Sequence, residues 1–144
     1  MHPILRLLST ALFTATSLAA QVTPVKGAGC PGSIPVKTSG AARLGQSFVL
    51  QAATCARGSA GFLAIGIPAE PAIVVEGSPL CFLGRPCVLV VDPLHVAVDT
   101  NLFRLDVPDL AGFLGLGFRV QTGCFDRTAA CIVLGAAVDV VIER

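Results

Sequence analysis

The chain contains no tryptophan and no tyrosine, one methionine and two histidines, and charged residues fill only 13% of its 144 positions. Each scarcity closes off a class of function. With Phe as the sole aromatic residue type, there are few platforms on which bases could stack. A charged fraction of 13% and a formal net charge of +1 leave no basic footprint for nucleic acid or for an acidic membrane surface. No apolar run is long enough to cross a bilayer. The stretch from Leu7 to Leu18 offers about 12 residues, interrupted by Ser and Thr, where a spanning helix needs about 20. What is abundant points the other way. Hydrophobic residues make up 53% of the chain, which excludes disorder, and the length suits one domain with its own core.

Residues 1–20, MHPILRLLSTALFTATSLAA, place His2 and Arg6 before a short apolar segment that ends in Ser17-Leu18-Ala19. That is the pattern of a cleavable secretory signal peptide, with cleavage expected near Ala19 or Ala20. No cysteine precedes Cys30, so none is placed to carry a lipid at the end of this segment. The expectation is a domain over 21–144, without a membrane span, that is secreted, periplasmic or held at the cell surface. Losing Arg6 leaves nine basic and nine acidic residues, a balance of zero.

All six cysteines, Cys30, Cys55, Cys81, Cys87, Cys124 and Cys131, lie in that domain. An even count in a chain marked for an oxidising compartment predicts three disulfides. Zinc is the rival, but its sites favour closer cysteine pairs backed by further Cys or His ligands, and His95 is the only histidine after residue 20.

From Val22 to Gly45 the chain is rich in Gly, Pro, Ser, Lys and Thr and reads as an extended, turn-rich segment pinned by Cys30. Gln46 to Ala53 alternates as a strand. Phe62 to Ile67, Ala72 to Glu76 and Cys87 to Asp92 are short apolar runs separated by prolines and read as buried strands. Leu102 to Val107 sets Phe103, Leu105 and Val107 against Arg104 and Asp106, and Phe118 to Thr122 repeats that period of two. Cys131 to Glu143 closes the domain as a strand with a bulge or bend at Gly135. Pro108 to Leu116 contains Gly112 and Gly115 and predicts a turn or one short helical loop. About eight short strands with Gly and Pro punctuation predict an all-β fold, an antiparallel β-sandwich, with a barrel as the nearest competitor.

Seven segments carry a resemblance: GAGCPGS (Gly27 to Ser33), LGQSFVL (Leu44 to Leu50), GFLAIG (Gly61 to Gly66), PCVLVVDP (Pro86 to Pro93), FRLDVPD (Phe103 to Asp109), LAGFLGLGFRVQ (Leu110 to Gln121) and AAVDVVI (Ala136 to Ile142). In this order and spacing they resemble a β-sandwich module that recurs in exported proteins of planctomycetes and related bacteria. The resemblance implies the fold and export and brings no activity with it. It also implies that Cys30 pairs with Cys87, the two positions where that family usually has its cysteines. Six cysteines allow fifteen connectivities. Cys124 and Cys131 flank six residues between two strand candidates, and this predicts a disulfide across a β-hairpin. If both pairings hold, Cys55 is left to join Cys81.

Candidate sites are few. Gly27, Gly29 and Gly32 spell G-x-G-x-x-G, but the motif contains Pro31 and neither follows a strand nor opens a helix, so a phosphate cradle is not expected. His95 is the one neutral-pH base, and only a contact made by the fold would bring Ser78 or Asp99 to it. Asp92, Asp99, Asp106, Asp109 and Asp126 could supply paired carboxylates, yet their spacing selects no pair. Asp99-Thr100-Asn101 and Asp126-Arg127 suit hairpin turns instead.

The sequence therefore favours a noncatalytic extracellular interaction or structural module, with an extracellular protein or polysaccharide as its unknown partner and with no cofactor, metal or nucleic acid. The alternative is a small secreted hydrolase that uses His95 and nearby carboxylates. A third possibility, a surface-active protein, would require a large exposed apolar patch on the folded domain.

Overall fold

A computed structural model of the chain describes residues 22–52, 55–57, 59–76, 86–98, 101–126 and 131–144. The segment read as a signal peptide, and Ser78, Cys81, Asp99, Thr100 and Arg127, lie outside the described residues. Within them the chain forms eight strands: β1 (Val22–Val25), β2 (Lys37–Gly40), β3 (Ser47–Gln51), β4 (Ser59–Val75), β5 (Cys87–Val98), β6 (Leu102–Asp106), β7 (Gly117–Asp126) and β8 (Cys131–Val141). Every strand pairing is antiparallel. One sheet runs β1-β8-β7-β4-β5 and the other β2-β3-β6, which is the antiparallel sandwich expected from the alternating strands.

The period of two explains the core. Phe48 and Leu50 on β3 turn toward the larger sheet, where Leu63, Val120, Val138 and Val140 meet them, and all six are buried. Phe103 on β6 and Ile65 and Phe118 on the larger sheet pack around this cluster. The other parity of β3 and β6 faces outward with Ser47, Arg104 and Asp106. A 3-10 turn, Ala111–Phe113, leads into β7, in the stretch where a short helical loop was expected.

Because Val120 points between the sheets, its neighbours Arg119 and Gln121 point to the opposite face of the five-stranded sheet. There their side chains meet Val88 and Val90 of β5. The first half of β5 therefore folds over the back of β7 and β8 as an arm and creates a third layer. Beneath it lies a second small core of Cys30, Cys87 and Leu134, joined by Phe62 and Leu89. The leading segment locks the arm down. Gly29 and Val88 exchange backbone hydrogen bonds of 2.8 and 2.9 Å, the Cys30 N–H donates to Leu134 O at 2.8 Å, and Cys30 is bonded to Cys87.

Several expectations need correction. The run Phe62 to Ile67 and, of the run Ala72 to Glu76, all but Glu76 belong to one strand, β4, whose pairing with β5 slips between Pro68 and Ile73. The prolines interrupt the ladder without ending the strand. Likewise β5 continues through Pro93 to Val98, which an edge strand tolerates because a missing outward N–H costs little there. The leading segment contains two short strands that its sequence does not signal. β1 pairs with Ala137 to Val140, and β2 pairs with Phe48 to Gln51, so partner strands impose the extended form that local propensity leaves open.

The hairpin disulfide is also overturned. β7 runs on to Asp126, which makes the connection shorter than the sequence suggests, and the register then sets Asp126 opposite Cys131 and Cys124 opposite Val133. Cys124 is bonded instead to Cys55, just ahead of β4, with Cα atoms 5.7 Å apart. This excludes both Cys124–Cys131 and Cys55–Cys81. Cys131 is disulfide-bonded as well, and no described cysteine is free. Gly135 does mark a bulge: between Gln121/Ala137 and Gly123/Leu134 the register of β7 and β8 shifts by one residue.

Candidate functional site

The arm covers only part of the back of the five-stranded sheet. Where it stops, the sheet surface is bare and apolar. Phe62 on β4 pairs with Val98 on β5 and with Gly123 on β7, and Phe125 on β7 pairs with Ile132 on β8. Paired residues of a ladder project to the same side, so four strands supply one surface. Ala60, Phe62, Val96, Val98, Phe125 and Ile132 line a groove of about 450 Å³ there. Val98 is 67% exposed, Ile132 52% and Val96 48%. Gly123 keeps the floor low, because a Cβ on it would strike the Phe62 ring.

A second concavity of about 420 Å³ lies at one end of the sandwich, where Cys30, Ser33, Cys55, Ser59, Thr122 and Asp126 are among its walls. Its lining is mixed, and its frame is the disulfide-linked scaffold itself.

Sequence-derived candidates are spread over β5, β6, β7 and the segment after β6. His95 is exposed on β5, opposite Ile65. Asp92 is exposed on the same strand, Asp106 stands on β6 in the other sheet, Asp109 follows β6 beside Gly45, and Asp126 ends β7. Among the described residues no group of three or more His, Cys, Asp or Glu could hold a metal ion, and no helix is long and apolar enough to cross a membrane. Gly27, Gly29 and Gly32 all adopt positive φ, at 74°, 80° and 81°. They build turns, and the Gly29 and Cys30 amides that a phosphate cradle would use are spent on Val88 and Leu134.

Two charged clusters are structural. Asp106 accepts from the Ser47 hydroxyl at 2.6 Å and from Arg104 Nε at 3.0 Å, and these bonds, the hydroxyl foremost, hold its carboxyl below the usual aspartate range. Arg119 and Asp139 form a two-pronged pair at 2.7 and 2.9 Å. The hydrogen bonds to Asp139 hold the Arg119 guanidinium in its charged form, and its third nitrogen donates to Val90 O at 3.2 Å. This pair therefore pins the arm.

The groove was not visible in sequence, because its residues come from four strands whose apolar runs read as buried. The one available signal is that Leu94, Val96 and Val98 alternate along β5 with no Lys, Arg, Asp or Glu between them. No protein-family model matches the chain, and no curated protein matches it either.

Proposed function

We propose that this chain is an exported, noncatalytic interaction module of the planctomycete β-sandwich kind, which contacts its partner through the apolar groove on the back of the five-stranded sheet. The observation that carries the reading is the exposure of Val96, Val98 and Ile132 around one groove. Folded soluble domains seldom leave contiguous apolar surface open unless something binds it. Disulfides at Cys30–Cys87 and Cys55–Cys124 suit an oxidising exterior. Asp106 and Asp126 lie on strands other than that of His95, and only Asp92 shares β5 with it, a dispersal that favours binding over hydrolysis.

The test is retention. Protein recovered from the cell exterior is immobilised and exposed to native extracellular material, alongside Val98→Asp and a control, Ser39→Asp, on the polar face of the smaller sheet. Retention by the wild type and the control but not by Val98→Asp is expected. Equal retention by all three would refute the groove as the contact surface, and hydrolysis of that material, abolished by His95→Ala in a folded protein, would replace the binding reading with the catalytic one.

A further inference from the structure

Edge strands normally carry a device that blocks pairing with another chain, such as a proline, a charged side chain or a bulge. The two sheets have four edges. β1 contains Pro24 and runs into Lys26, β2 opens with Lys37 and exposes all four of its residues, and β6 carries the Arg104–Asp106 ion pair. The fourth edge is β5. Its first half is covered by the bridge to Gly29, and Pro93 and the bulge that skips Leu94 in the pairing with β4 interrupt its middle. Beyond them, up to Val98, β5 pairs among the described residues with β4 alone. Between Leu94 and Val98 there is no Lys, Arg, Asp or Glu, and Leu94 and Val98 are 79% and 67% exposed.

We infer that this free edge, Leu94 to Val98, pairs antiparallel with the same edge of a second copy of the chain about a two-fold axis at Val96. The inference rests on the reading of the domain as an interaction module and names one of its partners. The sequence L-H-V-A-V is self-complementary in that register. Val96 meets its own counterpart, Leu94 lies opposite Val98 of the second copy, and His95 lies opposite Ala97, so no like charges meet when the imidazole is protonated. An isologous contact of this type closes on two copies and leaves no further edge of the same kind. Unpaired backbone groups along β5 gain partners, and the apolar side chains are covered in the same step. Five residues a side bury less than the roughly 800 Å² per partner of a standard stable interface. The dimer is therefore weak, with dissociation in the micromolar range or above.

Sedimentation of the protein recovered from the exterior, followed over about 1 to 500 µM to bracket such a weak interface, tests this directly. The wild type should pass from monomer to dimer and no further. Leu94→Lys and Val96→Lys, both at exposed positions, should weaken association at least about tenfold while circular dichroism stays unchanged. Phe125→Lys alters the groove but not the edge and should dimerise as the wild type does. A wild type that stays monomeric throughout, open-ended growth beyond the dimer, or a dimer indifferent to Leu94→Lys and Val96→Lys would each overturn the pairing. The functional reading fails separately: a monomer that still retains extracellular material through its groove refutes only the self-pairing, whereas dimerisation with no retention refutes the extracellular partner and leaves the pairing standing.

Discussion

Gln121 acts toward Val90 as a strand would: its Oε1 accepts the Val90 N–H at 2.9 Å from a fully buried side chain. Its Nε2 donates to Val88 O at 2.9 Å and to Gly135 O at 3.2 Å. One amide thus accepts the Val90 N–H, gives Val88 O a second donor beside the Gly29 N–H, and ties both to the bulge in β8. Burying a polar side chain is tolerable only on these terms.

Replacing that amide by an apolar group of similar size takes away the acceptor of the Val90 N–H. Gln121→Leu should lower unfolding stability by about 1–3 kcal/mol, measured by denaturant titration. A loss within experimental error would mean that the arm does not depend on this contact.

Peptide mapping without reduction should yield Cys30–Cys87 and Cys55–Cys124 as linked fragments. With those four assigned, Cys81 is the one cysteine left for Cys131. Opening the Cys55–Cys124 loop, which spans 69 residues, should cost about 4 kcal/mol on the chain-entropy estimate. Recovery of a Cys124–Cys131 fragment would contradict the strand register described above.

How far these features could be read from sequence depends on where each signal resides. Ser47 to Gln51 and Leu102 to Asp106 alternate visibly because one face of the smaller sheet is wet, and Gly135 announces its bulge. β1 and β2 are silent, since VTPV and KTSG carry no apolar rhythm and take their form from β8 and β3. The hairpin cysteines misled because local spacing cannot reveal that β7 continues to Asp126, nor that Cys55 lies nearby in space. The groove was hidden for a related reason: Phe62, Val96, Phe125 and Ile132 look like core residues until it is known where the arm ends.

Gly66 shows how closely the bulge in β5 approaches β4. A Cβ there would strike Asp92 O, with Leu94 N also in contact, and backbone atoms cannot swing aside. Gly66→Ala should therefore destabilise by about 1–3 kcal/mol. Gly112→Ala, where a Cβ would meet nothing within 4 Å, should stay within about 0.5 kcal/mol. Thermal unfolding of the two variants decides between them, and similar losses would count against the bulge.

The Ser47–Asp106 contact sets a small acid sensitivity. Asp106 has its carboxyl pKa lowered in the folded state, so its contribution to stability is present above the unfolded value of about 4 and is lost as the pH falls through the depressed one. Ser47→Ala removes the leading cause and should move the Asp106 titration, followed by carboxyl NMR shifts, upward toward the ordinary range. An unmoved titration would assign the effect to Arg104 alone.

The groove itself can be interrogated in place. A photoreactive phenylalanine analogue is inserted at position 98, or at position 39 on the polar face, in the full chain, and the protein is irradiated in its native extracellular setting. Covalent adducts should form from position 98, to a second copy or to another macromolecule, and be scarce from position 39. Adducts from position 39 but none from position 98 would contradict the groove as the surface through which this domain works.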